Sequence, residues 1–447
     1  MKALHGSGRG TSRAVVLAAA FALGACGGGD STDTAGAASC DIKGQQTWLR
    51  AYMLDWYYWS GAAPDPAPAG DTSVQAYYDA LKFTGNATVP ADRWSYISDS
   101  VSYNQFFAEG KTLGYGLFVN GIELQLPLRV RHIEPLSPAA AAGLVRGDRI
   151  VSINGRSAAD LIAANDFSVI SPGQEGDVLS LVIDTGAGPR SVLLSAATYL
   201  LTPVPTTRVL TLANGNKAGY LMMKDFITQA EAPLAKAIAG FSAAGATELI
   251  LDLRYNGGGR ISTATVLASL IAGEGRQGEL FTRLEYNGRH AGSRTDFTLK
   301  DLQSPAFSRV VVLTGSRTCS ASELIVNGLK PFVPVVTIGG TSCGKPFGFN
   351  AAESCGSTFS AVNFESVNSL GQGRYYNGID ATCPVSEDFS GALGDPTEKL
   401  TAAATSYLQT GVCPAASTAE RAQAVAFARR ARAQGAEPGE RQSMSAD

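Results

Sequence analysis

Histidine is scarce in this sequence, whose 447 residues include three: His5, His132 and His290. A zinc centre or a haem site that needs several histidine ligands is therefore nearly excluded. A Ser-His-Asp triad would have to use either His132 or His290. We accordingly expect no metal and no cofactor.

Charged residues are also few, at 17% of the chain, and neither sign dominates. The 36 Lys and Arg residues against 39 Asp and Glu residues give a formal net charge of -3. A nucleic-acid-binding protein normally carries a basic domain or stripe, so we expect no nucleic-acid partner. The length suffices for roughly three to four domains of typical size.

Long apolar runs are missing as well. At the start, a basic stretch precedes the apolar run 14–25, which is too short to span a bilayer as a helix. We interpret residues 1–25 as a signal peptide. Beyond them no run of 18 apolar residues occurs, so we expect no membrane-spanning helix.

The apolar run ends in Leu23-Gly24-Ala25-Cys26, which resembles the lipobox of bacterial lipoproteins. The resemblance implies that Cys26 is lipidated and that residues 26–39 form a flexible tether. It places the protein in the cell envelope, lipid-anchored and facing the periplasm. Gly27 in place of an aspartate favours the outer membrane. The alternative is an ordinary secretory signal with a chance cysteine.

Six cysteines follow the signal, an even number that predicts disulfides in an exported protein. No C-x-x-C spacing occurs among them, which argues against zinc or thioredoxin-like chemistry. Spacing does not determine the pairing. We predict bonds between Cys355 and Cys383 and between Cys40 and Cys413.

The pattern along the chain predicts three successive domains. Residues 40–112 are rich in aromatics at helical spacing (Trp48, Tyr52, Trp56 and Trp59), which favours a helical domain with an apolar face. A Pro-rich stretch, 62–70, should end the first helix, and a second helix is predicted over 74–81.

Residues 113–200 change to alternating strands around Ser137-Pro138, which is a typical start of a helix. This stretch resembles a PDZ domain. The resemblance makes Gly114, Tyr115, Gly116 and Leu117 the peptide-binding loop, whose backbone N–H groups would face a C-terminal carboxylate. The alternative is a generic small β domain.

Residues 201–415 alternate strands (249–254, 310–314 and 333–338) with helices (262–272 and 320–330), which predicts parallel crossover units. The fold class is therefore mixed α/β: a helical front, a PDZ-like β domain and a crossover βαβ core. Residues 416–447 are predicted to be a partly disordered tail with one helix over 420–434.

Three loops of this core should meet at one edge of the sheet. The carboxyl ends of parallel strands gather on the same side, and a helix of about 16 Å matches a returning strand of about 20 Å. The loop that carries Lys345 should therefore lie beside Ser320 and beside the glycine loop 256–259.

Cys319-Ser320-Ala321-Ser322-Glu323 is similar to the S-A-S-E signature of the carboxyl-terminal processing, or tail-specific, serine peptidases, family S41. In that family the first serine is the nucleophile, and a lysine at a fixed spacing after it is the general base. Lys345 stands at that spacing from Ser320. The resemblance extends over about 40–415, including Asp92-Arg93-Trp94-Ser95 and the glycine loop. It departs at Phe349, where many members have a glutamine, and at Cys319, where alanine is usual.

The implied roles are physically reasonable. A desolvated lysine amine can serve as a base where histidine is scarce, because burial disfavours the ammonium form. Ala321, at the start of a helix, would offer a free N–H to an oxyanion. The resemblance adds a second N–H from Gly257 or Gly258. We interpret Ser322 and Glu323 as capping residues of the helix.

A second serine motif, Gly340-Thr341-Ser342-Cys343-Gly344, matches the G-x-S-x-G nucleophile elbow of α/β-hydrolases. That elbow must open a helix, but a helix-breaking stretch, 345–349, follows, and no histidine lies after His290. We therefore reject it.

Taken together, these features predict a lipid-anchored envelope endopeptidase that cuts proteins near their C-termini through a Ser320–Lys345 dyad and an acyl-enzyme. Its partners would be protein or peptide tails. The alternative is a catalytically silent PDZ lipoprotein scaffold that binds tails, and a histidine-dependent lipase or esterase is a weaker third. The sequence leaves the substrate protein, the oligomeric state and the action of the PDZ-like domain on the site open.

Overall fold

The computed structural model describes residues 36–121, 126–415, 422 and 443–446. The predicted signal peptide, Cys26 and most of the tether lie outside these residues. So does the predicted helix over 420–434, apart from residue 422. In the part of the chain that is described, no helix is both long enough and apolar enough to cross a membrane.

The N-terminal region is helical and packs through aromatic side chains. Its elements are α1 (Ile42–Trp56), α2 (Val74–Ala80), β1 (Tyr96–Asp99) and α3 (Ser100–Asn104), followed by a π-helical turn (Gln105–Glu109). α1 begins at Asp41, whose carboxylate accepts a hydrogen bond from the Gly44 N–H at 2.8 Å. Because α1 ends at Trp56, Trp59 is not part of the predicted helix face, although it is buried in the same aromatic cluster.

The middle region is a small β structure with two short helices. Its elements are β2 (Lys111–Gly114), β3 (Leu117–Val119), β4 (Val130–Ile133), α4 (Pro138–Ala141), β5 (Arg149–Ile153), β6 (Arg156–Ser157), α5 (Ala158–Ala164), β7 (Val178–Asp184), β8 (Pro189–Ser195) and β9 (Ala197–Leu200). The strands form an antiparallel sheet in the order β6-β5-β7-β8 and the pairs β3-β4 and β2-β9. The Ser137 hydroxyl caps α4 by accepting a hydrogen bond from the Ala140 N–H at 3.3 Å, as the Ser-Pro pattern predicts.

The remaining elements form the core. They are β10 (Thr206–Thr211), β11 (Lys217–Met222), α6 (Glu231–Ala243), β12 (Glu248–Asp252), β13 (Gly258–Arg260), α7 (Ile261–Ala272), β14 (Leu280–Tyr286), β15 (Thr295–Thr298), β16 (Arg309–Thr314), α8 (Ala321–Leu329), β17 (Val335–Gly339), β18 (Phe347–Gly348), β19 (Ala352–Ser354), β20 (Ser357–Ser360), β21 (Phe364–Asn368), β22 (Cys383–Pro384), α9 (Lys399–Thr410) and β23 (Ser443–Ser445). The predicted mixed α/β class is confirmed.

A six-stranded sheet in the order β10-β11-β12-β16-β17-β22 organises the core. β10 and β11 are antiparallel, and every later pair in this sheet is parallel. The unit β16-α8-β17 is the predicted crossover, and its register pairs Thr314 with Gly339 at the strand ends. The loops that carry Ser320 and Lys345 therefore leave the sheet at the same edge.

Smaller sheets complete the described part of the core. β15-β14-β21-β18 form an antiparallel sheet, and β1 joins the hairpin β19-β20. β13 pairs in parallel with β23, which is formed by residues 443–445. The predicted disorder of the chain's last residues is therefore wrong for this segment, because the backbone edge of β13 holds it in a strand.

The predicted disulfide pairings are wrong. The structure has Cys40–Cys355, Cys319–Cys343 and Cys383–Cys413. Cys40 precedes α1 and meets the turn of the β19-β20 hairpin, whereas Cys413 follows α9 and meets β22. Tertiary packing brings these sulfurs together, and spacing along the chain carries no information about it.

Candidate active site

Ser320 lies in the turn between β16 and α8, immediately before the helix. Its backbone has φ 61° and ψ -115°, a strained conformation for a residue other than glycine. The residue is 0% exposed, and its hydroxyl has no hydrogen-bond partner among the described residues. The strand–turn–helix geometry of a nucleophile elbow is therefore found at Ser320.

The competing elbow at Ser342 does not have this geometry, because no helix follows it. The Ser342 hydroxyl instead donates a hydrogen bond to the Glu323 carboxylate at 2.5 Å and accepts one from the Ile379 N–H at 2.6 Å. Ser342 is thus a buried structural serine.

Glu323 joins the nucleophile turn to the lysine loop. Its carboxylate accepts hydrogen bonds from the backbone N–H groups of Ser320 at 3.0 Å, Gly344 at 2.7 Å and Lys345 at 2.8 Å. The capping interpretation is correct for Glu323 but incomplete, because three of its donors lie in the 342–345 loop. Burial raises the pKa of this carboxyl above its usual range, and the hydrogen bonds to it oppose that shift.

Ser322 does not cap the helix. Its hydroxyl donates to the Asn256 carbonyl at 2.9 Å, and the Cys319 N–H donates to the same oxygen at 3.1 Å. These two bonds fix the start of α8 against the glycine loop, as the convergence of loops at this edge requires.

Lys345 is 0% exposed, and burial lowers the pKa of its ammonium group from 10.5 to about 7. The carboxylates of Asp92 and Glu323 act in the opposite direction and raise this pKa. Asp92 is held in place because its carboxylate accepts hydrogen bonds from the N–H groups of Trp94 at 2.9 Å and Ser95 at 3.0 Å. Sequence reasoning noted Asp92 as part of a motif and missed its influence on the lysine.

Phe349 occupies the position where many relatives of this type have a glutamine. The Lys345 Nζ lies 4.0 Å from the centroid of the Phe349 ring. An aromatic face attracts the ammonium form and also excludes water from it. The Lys345 side chain is therefore in contact with an aromatic ring at the position where the family pattern has a glutamine amide.

The Cys319–Cys343 disulfide spans the same two loops. Cys319 directly precedes Ser320, and Cys343 lies two residues before Lys345. In the described part of the chain, these two cysteines and Glu323 form a group whose potential metal-ligand atoms all lie within 4.8 Å of one another. Since both sulfurs are in the disulfide, they are not thiolates and the group is not a metal site in this state.

The predicted oxyanion donors differ in their availability. Ala321 is the first residue of α8, so its N–H has no partner within the helix. The Gly258 N–H donates to the Asn256 side-chain oxygen at 2.8 Å and is therefore already engaged. Of the two glycines predicted, Gly257 is thus the one whose N–H has no hydrogen bond to the described residues.

The loop Gly114-Tyr115-Gly116-Leu117 lines a cavity of about 280 Å³. Lys224 and Asp225 of the core and Phe106 of the helical front form other parts of its wall. Gly116 has φ +71°, and a Cβ there would lie 2.0 Å from the Ser137 Cβ. A Cβ at Gly114 would make only an ordinary contact with the Tyr199 hydroxyl at 3.4 Å, so steric constraint is concentrated at Gly116.

The two histidines after the signal are engaged elsewhere. His132 is buried beside Glu134, with Nε2 to carboxylate 3.4 Å, and burial lowers the pKa of its imidazole. His290 stacks on Trp56 with ring centroids 3.6 Å apart and contacts Asp55 at 3.0 Å. Ser320 is not among these contacts of either histidine.

A buried ionic cluster joins the PDZ-like region to the core. Arg146 contacts Glu387 at 2.6 Å, and Arg254 contacts Glu398 at 2.6 Å and Glu387 at 3.1 Å. Arg131 lies over the ring of Tyr255, the residue before Asn256, at 4.9 Å. Sequence reasoning missed this joint, because the partners are far apart in sequence and no local pattern connects them.

Comparison with known families identifies three segments of the chain. Residues 44–96 match the peptidase S41 N-terminal domain, 129–184 match a PDZ domain, and 217–367 match peptidase family S41. Each match falls inside one of the predicted segments 40–112, 113–200 and 201–415, whose exact boundaries stay a prediction.

Curated relatives are similar over part of their length. A carboxyl-terminal-processing protease of Picosynechococcus sp. is 27% identical over 53% of this chain and 55% of its own. A carboxy-terminal processing protease of Bacillus subtilis is 27% identical over 47% of this chain and 42% of its own. The chain thus spans about half the length of the curated relatives it matches.

Solved structures share the fold. A crystal structure described as an S41 protease, from Bacteroides fragilis, superimposes with a TM-score of 0.65 at 23% identity, covering 82% of this chain and 98% of that one. A photosystem II D1 C-terminal processing protease gives a TM-score of 0.50 at 17% identity, covering 78% and 94%. The chain is thus similar to peptidase family S41 over 217–367 and carries S41 N-terminal, PDZ and S41 peptidase segments in this order.

Proposed function

We propose that this protein is a serine endopeptidase that cleaves proteins near their C-termini, with Ser320 as nucleophile and Lys345 as general base. The observation that carries the proposal is the wholly buried Lys345, whose pKa of about 7 makes a neutral amine available near neutral pH. The Glu323 carboxylate accepts hydrogen bonds from the backbone N–H groups of Ser320 and of Lys345, which supports the pairing of Lys345 with Ser320.

The chemistry requires one proton to move twice. The Ser320 hydroxyl attacks the scissile carbonyl carbon while its proton passes to the Lys345 amine. The N–H groups of Ala321 and Gly257 would stabilise the resulting oxyanion. The Lys345 ammonium then gives the proton to the leaving amine, which leaves an acyl-enzyme on Ser320. A water molecule hydrolyses this ester by the same route.

The PDZ-like cavity supplies a place for the substrate tail. Its wall includes Gly114, Tyr115, Gly116 and Leu117 of the loop and Lys224 of the core. Backbone N–H groups and a nearby cation are the chemistry that binds a terminal carboxylate. We infer that protein or peptide C-termini are the partners of this site.

A serine-reactive fluorophosphonate probe tests the nucleophile. The wild-type protein should be labelled, Ser320→Ala should lose the label, and Ser242→Ala, at an exposed serine of α6, should retain it. Labelling that persists in Ser320→Ala would contradict the assignment. A protein that binds tails but takes no label would favour the alternative of a silent scaffold.

We also propose lipid anchoring at Cys26 in the cell envelope, facing the periplasm and at the outer membrane. The motif Leu23-Gly24-Ala25-Cys26 supports it. Cys26→Ser should then appear in the soluble envelope fraction with its peptidase activity intact. A mutant that remains in the membrane fraction would contradict lipid as the anchor.

A further inference from the structure

Residues 443–446 form an added strand beside the candidate active site. β23 runs parallel to β13, with Gly258 opposite Ser443 and Gly259 opposite Met444. On its other side, the Phe349 N–H donates to the Met444 carbonyl at 2.8 Å. The segment therefore fills the space between β13 and Phe349 through backbone hydrogen bonding on both sides.

Both neighbours of this segment belong to the proposed machinery. β13 directly follows Gly257, whose N–H is the proposed second oxyanion donor. Phe349 carries the ring that faces the Lys345 Nζ at 4.0 Å. A strand in this position is paired with the segment that follows the proposed oxyanion donor, as an extended substrate added to the edge of β13 would be.

The proposed catalytic pair and the segment are buried together in the structure. Ser320 and Lys345 are both 0% exposed, as is Met444. The Met444 side chain lies in the main hydrophobic cluster of the core together with Leu324 and Phe364. A substrate must reach the nucleophile, and an extended peptide could add to β13 only at a free edge, but here that edge is already paired.

The described pairing between this segment and β13 is short. Residues 411–442 separate the segment from Thr410, the last residue of α9, and among the described residues the parallel pairing with β13 runs from Ser443 to Ser445. The interaction therefore resembles a peptide bound in a groove more than a strand in the middle of a sheet.

We propose that residues 443–446 occupy the substrate strand position of the peptidase and compete with incoming tails. The groove would accordingly select an extended peptide that pairs in parallel with β13 and places an unbranched apolar side chain, flanked by small residues, where Met444 lies. The competition with substrate rests on the proposed peptidase function. The binding of the segment in the groove can be measured without catalysis.

Binding is tested in the Ser320→Ala background, so that no peptide is cut. The probe is a fluorescent synthetic peptide of residues 441–447, added to the full chain and to a variant ending at residue 442. The shortened variant should bind the peptide at least about tenfold more tightly than the full chain, and a peptide with Met444→Asp should bind neither. Equal binding to both proteins, or equal binding of both peptides, would overturn the proposal.

Activity is tested with the full chain carrying Met444→Asp. Turnover of a short unstructured peptide should rise by about tenfold to a hundredfold, the factor that burial of one apolar side chain supplies. Val412→Asp makes the same kind of change at a site that is 66% exposed and should leave turnover unchanged.

The outcomes separate the two hypotheses. A Met444→Asp variant that melts at a lower temperature and is less active would show that the segment is a structural strand, and the inference would fail. If every variant is inactive and takes no fluorophosphonate label, while the shortened variant still binds the peptide, the peptidase function fails and the occupied groove stands.

Discussion

At the residue scale, the chemistry depends on the environment of one amine. Lys345 is surrounded by the apolar ring of Phe349, the fixed carboxylate of Asp92 and the hydrogen-bonded carboxylate of Glu323. Desolvation is the largest of the influences on its pKa and exceeds the effect of the two carboxylates. The Lys345 amine can therefore lose its proton near neutral pH even though two carboxylates lie close to it.

We expect activity to rise with pH through about 7 and then to level off. Below that pH the buried amine carries a proton and cannot accept the one from Ser320. Lys345→Arg should lose several orders of magnitude in kcat, because a guanidinium does not deprotonate in proteins. A pH–rate profile with folding checked by circular dichroism measures both effects.

His132→Ala and His290→Ala are the controls, and each should retain most of the activity. A flat profile between pH 6 and 9, near-normal turnover of Lys345→Arg, or a folded but inactive histidine variant would be evidence against the dyad.

Asp92 provides a second prediction at this scale. Its negative charge raises the pKa of Lys345, so Asp92→Asn should lower that pKa and shift the rising limb of the pH–rate profile to lower pH. The shift distinguishes an electrostatic role from a structural one, because a packing defect would reduce kcat without moving the midpoint. An unchanged midpoint would mean that Asp92 serves only to hold the 92–95 turn.

At the element scale, the start of α8 and the 342–345 loop behave as one unit. Glu323 joins them through hydrogen bonds and the Cys319–Cys343 disulfide joins them covalently. The predicted pairings did not include Cys319, yet its disulfide lies next to Ser320 and two residues before Lys345. The relative position of Ser320 and Lys345 is thereby fixed independently of the sheet that carries them.

The double variant Cys319→Ala, Cys343→Ala should lose both stability and kcat. Opening a loop with a sequence separation of 24 residues costs roughly 3.5 kcal/mol of unfolding free energy by chain entropy. Loss of the covalent link between nucleophile and base should additionally reduce kcat, by about tenfold or more, since small displacements of reacting groups are costly. Denaturant titration and steady-state kinetics give the two quantities.

Cys383→Ala, Cys413→Ala is a matched control, because that bond closes a loop with a separation of 30 residues at the β22 edge of the sheet. It should lose a similar amount of stability and keep its kcat. Equal loss of kcat in both double variants would show that only stability links the disulfide to activity.

At the scale of the whole molecule, the PDZ-like region and the core meet close to the glycine loop. The Arg146–Glu387 and Arg254–Glu398 pairs are buried at this joint, and Arg131 covers Tyr255 next to Asn256. The tail cavity is built from both regions, since Gly116 lies on one wall and Lys224 on another. The cavity and the ionic joint thus both lie between the PDZ-like region and the core, although different residues form them.

Gly116→Ala should impair cleavage of a protein with a C-terminal tail far more than cleavage of a short peptide. The added Cβ meets Ser137 at 2.0 Å and the backbone has φ +71°, so the loop must deform. Gly143→Ala shares the φ of +71° but meets nothing within 4 Å, and it should leave the ratio of the two rates unchanged. A parallel loss on both substrates would mean that the loop does not bind tails.

The sequence by itself determined the order of the elements and the local chemistry. Hydrophobic periodicity in short windows indicates the alternation of strands and helices over 249–338. This alternation predicts the β16-α8-β17 crossover. The spacing between Ser320 and Lys345 matches the length of one such crossover, which is why the two loops could be expected at one edge.

Only the tertiary structure decided which groups meet across that edge. The disulfide partners, the Phe349 ring beside Lys345, the Asn256 side chain that engages the Gly258 N–H, and the strand formed by residues 443–445 all depend on contacts that the folded chain creates. Local propensity does not encode such contacts, because the packing of whole elements sets which side chains and backbone edges face each other.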